Sequence, residues 1–423
     1  MTTLPESPPP PGWRALLQAF GRIGVVSFGG PAAQISVMHG ELVERRGWLD
    51  EKAFLGALSF CMLLPGPEAM QLATYAGWRL KGVAGGLLAG LLFVLPGAVV
   101  VAALALAYVE WGTVPQVQAA FLGIKALVVA LVLQALVRLS RRALPDLPRR
   151  LWALGAFVAI FALALPFPVL VLAAGGWGLW RGGVATDTLP PGPAPGLGRT
   201  LLTAGIWALA WLAPVLALRL AGADFLADLG AFFARLAVLS FGGAYALLAW
   251  MAQVTVERYG WLTPGQMIDA LGLAETTPGP LILVTQFVAM VAAALRDGPL
   301  LGLAAGALVL WVTFVPCFLF IFTFAPHVER LLALPRLRAA LEAITAAVVG
   351  VIGALALWFA LHVLFDVVRQ AGALPLPDPA SFRPLAAGLI LAAMALVFAA
   401  RAGLLASLAV MASLGLASHW LPV

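Results

Sequence analysis

Apolar stretches of about 16 to 27 residues recur along this chain, each near the 20 or so that a helix needs to cross a bilayer. They fall near 13–38, 53–78, 83–109, 119–138, 151–165, 167–180, 200–220, 225–254, 266–295, 299–325, 338–364, 384–400 and 402–420. The pattern predicts an all-α integral membrane protein with about 12–13 membrane segments, because a lipid-exposed backbone must satisfy its own polar groups. Several stretches are short or broken by Gly and Pro. The pairs 151–165/167–180 and 384–400/402–420 therefore read as full spans or as half-helices. Residues 182–199 are a Pro/Gly-rich linker. Residues 1–12 are Pro-rich, polar and expected to be disordered, and lack the charged start and apolar core of a signal peptide.

An internal repeat organises these segments. Residues 20–67 align with 233–280 without a gap, with 20 of 48 positions identical. The matches include Arg22/Arg235, Ser27-Phe28-Gly29-Gly30 with Ser240-Phe241-Gly242-Gly243, Glu44-Arg45 with Glu257-Arg258, and Pro65-Gly66-Pro67 with Pro278-Gly279-Pro280. A weaker block, 82–130 with 302–350, keeps Gly82/Gly302, Pro96/Pro316 and Pro115/Pro335. The expected organisation is a first repeat over 13–181, the linker 182–199, an extra span at 200–220 and a second repeat over 221–423. Six spans plus one before the second copy invert it. With the N-terminus inside, Lys and Arg favour the inner segments by about two to one, as the positive-inside rule requires. The loop at 110–118 has no Lys or Arg, whereas its partner at 326–338 has three Arg. If 53–78 and 266–295 re-enter rather than span, the parity needs recounting. Inverted repeats are a recurrent transporter device.

Composition narrows the chemistry. The chain has 423 residues, 62% of them hydrophobic and only 10% charged, with a mean hydropathy of +1.01. Its net charge of +6 fits basic inner loops as well as nucleic acid, so it does not argue for the latter. The two cysteines, Cys61 and Cys317, sit in apolar segments, and four scattered histidines suggest no metal site. No cofactor motif or catalytic constellation is visible, so an enzyme is not expected.

Chemistry concentrates where helices must break. Gly29-Gly30-Pro31 and Gly242-Gly243 lie inside apolar segments, and a break there exposes backbone N–H groups and the positive end of a half-helix, both suited to an anion. The alternative is that the glycines only allow close packing. Arg22 and Arg235 each precede a break by five residues, and Arg offers a planar fork to an oxyanion. They are candidate ligands with Ser27, Gly29, Gly30, Ser240, Gly242 and Gly243, unless they snorkel to the interface or pair with carboxylates. Pro65-Gly66-Pro67 and Pro278-Gly279-Pro280 cannot continue a regular helix and are candidate gating breaks. Glu68 and Glu275 beside them are candidate coupling carboxylates, or else neutralise the arginines. Lys125 stands alone in its segment, with Glu110 or Glu68 as possible partners.

The runs F-x-R-x-G-x-x-S-F-G-G-P, E-x-R-x-G-W-L and L-P-G-P-E-A-M-Q-L-A, with S-F-G-G, E-R-Y-G-W-L and E-T-T-P-G-P in the second copy, resemble the chromate ion transporter family in its long, two-domain form. The resemblance implies homologous halves in opposite orientations. It also implies export of chromate across the cytoplasmic (inner) membrane of a prokaryote, giving resistance, with sulfate as the natural analogue. Ala244 stands where the first copy has Pro31, so the two glycine breaks need not share one shape. A carrier for sulfate or another oxyanion, and an uncoupled anion channel, are the competing expectations. A coupling proton or counter-anion and a homodimer are both compatible with the sequence.

Overall fold

The computed structural model describes residues 11–28, 30–182, 196–241, 244–275, 277–328, 334–371 and 374–420. Gly29, Gly242, Gly243 and most of the linker 182–199 and of the segment 1–12 lie outside the described residues. Five described helices are long and apolar enough to cross a membrane. They are α4 (Glu68–Trp111), which breaks and folds back on itself at Lys81–Gly82 so that its longer second part is the span, α5 (Pro115–Ala143), α8 (Leu197–Leu220), α13 (Pro299–Phe324) and α14 (Pro335–Leu364). The rest are shorter: α1 (Trp13–Val26), α2 (Pro31–His39), α3 (Glu51–Cys61), α6 (Leu147–Phe161), α7 (Phe167–Arg181), α9 (Asp224–Val238), α10 (Ala244–Ala252), α11 (Pro264–Glu275), α12 (Val284–Asp297), α15 (Pro384–Met394) and α16 (Leu404–Ser418). Among the described residues the chain is thus all-α and multi-pass, apart from one small ribbon. Strands β1 (Val368–Ala371) and β2 (Leu374–Pro377) form an antiparallel ribbon between α14 and α15.

The apolar stretches at 13–38 and 225–254 are not single spans, which corrects the sequence expectation. Arg22 Nη1 lies 3.9 Å from Glu41 Oε2, although 19 residues of continuous helix would separate them by about 28 Å. So α1 and α2 fold back on each other at Ser27–Gly30. In the second copy the rings of Phe232 and Trp250 lie 5.6 Å apart and those of Phe225 and Trp261 6.0 Å apart, which closes α9 against α10 in the same way. The stretch at 53–78 also bends back, bringing Phe60 within 5.9 Å of Tyr75. Its turn is the Pro65-Gly66-Pro67 break, where Gly66 takes φ +116°, a conformation a side chain resists. Gly279 does the same in the second copy, at φ +89°. A 26-residue apolar stretch has the length of one tilted span or of two half-spans, and only the tertiary contacts decide.

The copies correspond element by element. Both α2 and α10 run on into a π-helical turn, Gly40–Arg45 and Gln253–Arg258. Ala164 and Arg401, in the α6–α7 and α15–α16 turns, share a left-handed φ of 48° and 50°. Helices α6 and α7 are antiparallel, since Trp152 and Trp177 meet at 5.4 Å. Inversion follows from contacts. In the first copy Trp13 and Lys81 lie together at 5.8 Å, at the Lys81–Gly82 break that starts the second part of α4, the end of that part remote from Trp111. The second copy's counterpart, Phe225 with Arg296 at 4.6 Å, instead lies beside the α4–α5 turn, because Gly112, Thr113, Gln266 and Leu295 line one pocket. The hairpins also re-sort the charges. Arg45, Arg46 and Lys52 return to the face of Trp13, and Arg258 moves to the opposite face, which sharpens the basic bias. Helix α8, the odd crossing, has no buried residue and lies on α13 through reciprocal indole bonds. Trp211 Nε1 donates to Val312 O at 2.8 Å and Trp311 Nε1 to Ala210 O at 2.9 Å.

Candidate functional site

The four hairpin tips meet, and they meet across the copies rather than within them. Gly279 N donates to Ser27 O at 2.8 Å, and Phe28 pairs with Pro278 as an isolated antiparallel bridge. Reciprocally, Gly66 N donates to Ser240 O at 3.0 Å. Each glycine break of one copy is therefore completed by the proline break of the other. Backbone polar groups inside a membrane protein need such partners, because lipid offers none.

Two glutamines fix the tips from behind. Gln34 Nε2, on α2, donates to Gly279 O at 2.7 Å, and Gln71 Nε2, on α4, donates to Pro65 O at 2.6 Å. Both side chains are fully buried. Gly97 on α4 lies directly under Pro278, where a Cβ would come within 2.1 Å of the Pro278 carbonyl oxygen. Its repeat counterpart, Cys317 on α13, lies under Gly66 with Sγ at 3.3 Å from the place a Gly66 Cβ would take.

Between the tips is a cavity of about 30 Å³, lined by Pro31, Gln34, Gly66, Pro67, Glu68, Ala69, Ser240, Pro280, Leu281 and Ile282. Three helical starts open on it: α2 after Gly30, α4 after Pro67, and the 3-10 turn Leu281–Leu283 leading into α12 after Pro280. None is capped by a side chain. Their first N–H groups are thus free of intrahelical partners, and each helix end carries about half a positive charge. Ser27 is fully buried, and its Oγ has no hydrogen-bond partner among the described residues. Ser240 Oγ donates to Ala237 O at 2.7 Å.

The remaining predicted residues separate into two groups. Glu68 is the first residue of α4, half-buried on the cavity wall. Glu275 ends α11, buried, three residues before Pro278, which makes the bridge to Phe28. Arg22 and Arg235 stand apart. The Arg22 side chain is 56% exposed and its acidic neighbour is Glu41, not Glu68; Glu41 is held by Arg45 at 2.9 Å and Arg46 at 2.8 Å. Arg235 is exposed and its Nε donates to Ala231 O on its own helix at 3.1 Å. Neither lines the cavity. The Arg22 guanidinium instead turns toward Glu41, and that of Arg235 back along its own helix.

Lys125 pairs with neither Glu110 nor Glu68. Its Nζ lies 3.3 Å from Asp269 Oδ2, which also accepts from Tyr108 OH at 2.8 Å. Asp269 escaped the sequence reading because it lies near the polar start of its segment and its repeat partner is Gly56. The signal that could have found it was Lys125 itself, an intramembrane cation that demands a carboxylate.

Tips with uncapped helix starts, contributed reciprocally by two inverted copies, present partial positive charge suited to an anion. The chain is 35% identical over 354 residues to a chromate transport protein of Pseudomonas aeruginosa, covering 82% of this chain and 81% of that one. It is 29% identical over 355 residues to a chromate transport protein of Cupriavidus metallidurans, covering 84% of each. A probable chromate transport protein of Synechococcus elongatus matches at 28% over 339 residues, covering 80% and 82%. No solved structure matches the chain. The profile described as Chromate transporter matches residues 14–179 and again 227–418, one match for each copy, and the chain belongs to the chromate transporter family.

Proposed function

We propose that this chain is a secondary carrier that exports chromate across the cytoplasmic membrane of a prokaryote, with its N-terminus inside, and so confers chromate resistance. The observation that carries the reading is the reciprocal pairing of tips around a cavity with three uncapped helix starts. The binding set is the backbone of the breaks with Ser27, Gly30 and Ser240, joined by Gly29, Gly242 and Gly243 of the same turns. Arg22 and Arg235 fall outside it, because their side chains face away from the cavity.

A cavity of about 30 Å³ holds roughly two waters. A tetrahedral dianion therefore enters only when a tip pair parts. Pro65-Gly66-Pro67 and Pro278-Gly279-Pro280 are the moving breaks. Opening one pair faces the site to one side, and opening the other pair faces it to the other, which is alternating access by symmetry.

Charge sets the coupling. Three helix ends supply roughly one and a half positive charges, short of the two a dianion needs. An ionised Glu68 on the same wall cancels much of that; a protonated Glu68 does not. The anion and a proton on Glu68 thus bind together, and Glu275 on the arm behind the other break is the relay candidate. A dianion with one proton carries net charge −1, which an inside-negative potential drives outward with about 2.3 kcal/mol per 100 mV.

The test is counterflow in proteoliposomes: labelled chromate against unlabelled chromate, sulfate or phosphate, with and without an imposed potential. The expected result is saturable exchange accelerated by tetrahedral dianions on the far side. Flux that neither saturates nor responds to the trans anion identifies a channel and refutes the carrier.

A further inference from the structure

A second polar centre lies away from the tips. A pocket of about 220 Å³ opens at the α4–α5 turn, between Thr113, Gln118 and Gln266, and its floor is Lys125 with Asp269 and Tyr108. Asp269 is 3% exposed, and its Oδ1 has no hydrogen-bond partner among the described residues. Lys125 is 20% exposed by side chain and lies over the start of α11, 3.4 Å from where a Gly265 Cβ would stand. The lysine is therefore the part of the pair that meets an incoming solute, and the aspartate is behind it.

The pair is not needed to build the fold. The repeat gives the control: Lys125 corresponds to Thr345, Asp269 to Gly56 and Tyr108 to Val328. The elements equivalent to α4, α5 and α11, namely α13, α14 and α3, fold without any of these groups. A buried ion pair contributes little net stability compared with apolar residues of similar size. What the pair adds at this one place is an ammonium at the bottom of a pocket of about 220 Å³. It also ties the scaffold helix α5 to α11, the arm that ends six residues later at Glu275 and the Pro278 tip.

Building on the oxyanion-carrier reading, we propose that this pocket is a second oxyanion station, an access vestibule in which Lys125 leaves Asp269 to take the anion and so frees α11 to move. The ligand class is a tetrahedral dianion, the anion that also fits the tips. Transfer of the ammonium from carboxylate to anion breaks one ion pair and makes another, and Tyr108 OH stays on Asp269 throughout. The asymmetry makes the station one-sided: it lies at the face of the α4–α5 turn, and the equivalent residues Thr345, Gly56 and Val328 offer no such pair.

The experiment separates an anion ligand from a structural pair. Lys125→Met with Asp269→Leu removes both charges and keeps the volume, so folding is retained, whereas Lys125→Met alone strands a buried carboxylate and lowers expression. Thr113→Cys, placed in the pocket wall in each background, reports occupancy through its rate of alkylation by N-ethylmaleimide. Sulfate is the probe, because it does not oxidise thiols. Sulfate is expected to slow alkylation with native charges and to need about tenfold more concentration, or more, in the neutral pair, the worth of one charge-assisted contact. The same neutral pair should raise the chromate KM in proteoliposomes by a similar factor with a smaller change in maximal rate. Equal protection in the two backgrounds, or an unchanged KM in a well-folded neutral pair, overturns the station. Because the alkylation readout needs no transport, it stands or falls separately from the carrier reading, which the counterflow of unmodified protein decides.

Discussion

Replacing Gly97 by alanine tests the tip junction at its tightest point. The added Cβ would lie 2.1 Å from Pro278 O and 2.6 Å from Leu283 Cδ1. A carbon approaches a carbonyl oxygen to about 3.3 Å, so one side must give by about 1.2 Å. The obstacle is backbone on both sides, α4 and the proline break, and neither can rotate out of the way. Overpacking of this kind costs roughly 1–3 kcal/mol. A tip pushed away by that distance also loses Gly279 N to Ser27 O and Gln34 Nε2 to Gly279 O, each worth about 1 kcal/mol net. The sum is roughly 3 kcal/mol or more, about a hundredfold or more in the population of the paired tip. If that pair re-forms in every cycle, chromate counterflow per molecule should fall by a comparable factor while the protein still inserts. Gly155→Ala is the control, because that α6 glycine has open space within 4 Å and only gains helix propensity. Equal counterflow by the Gly97→Ala and Gly155→Ala proteins would refute the idea that the tip junction governs transport.

Other consequences can be checked independently. Arg22→Ala and Arg235→Ala should each keep near-normal chromate counterflow per molecule, and a collapse of both without loss of expression would return the arginines to the site. Glu68→Gln should flatten the pH dependence of chromate flux while exchange persists, measured in vesicles of matched internal and external pH; an unchanged profile removes Glu68 from coupling. Protonated His39 donates from Nε2 to Glu51 at 2.7 Å and from Nδ1 to Glu44 at 3.1 Å, and the hydrogen bond to Glu51 raises its pKa above the ordinary 6.5. Its contribution to stability is therefore present below the unfolded value and is lost as pH rises through the folded one. His39→Gln should lower thermal stability near pH 5.5 and have little effect near pH 8.5. Cysteines at Thr113 and Arg336 should label with an impermeant reagent from opposite sides of the membrane in whole cells and everted vesicles.

Much of this architecture was legible in the residues. The Ser-Phe-Gly-Gly and Pro-Gly-Pro runs mark the breaks because no regular helix tolerates them, and their duplication marks the two copies. What the sequence could not say is which break faces which. Ser27 and Gly279 are 252 positions apart, and their bond is a consequence of inversion that leaves no local signature. The hairpins were hidden for a related reason: hydropathy measures length and composition, and α1 with α2 has the length of one tilted span. The proximity of Arg22 to the break, read from the sequence, is axial only. The helix phase that turns it toward Glu41 depends on where α1 packs, which the Arg22/Arg235 match does not encode. Lys125 was visible as an anomaly, but its partner, 144 residues away, was not.

The reciprocal tips carry a consequence for how the protein is made. When the first copy leaves the ribosome, Ser27 O lacks its donor and Gly66 N its acceptor, since both partners, Gly279 N and Ser240 O, are still to be synthesised. A half left alone in lipid holds unpaired peptide groups at its most buried point, each costing several kcal/mol. The N-terminal half is thus held open by its own chemistry until α9 and α11 arrive, and biogenesis ends with docking of two partners rather than with stacking of helices in order. A chain cut in the linker should reassemble from two co-expressed fragments, each the template on which the other's unfinished turns are completed.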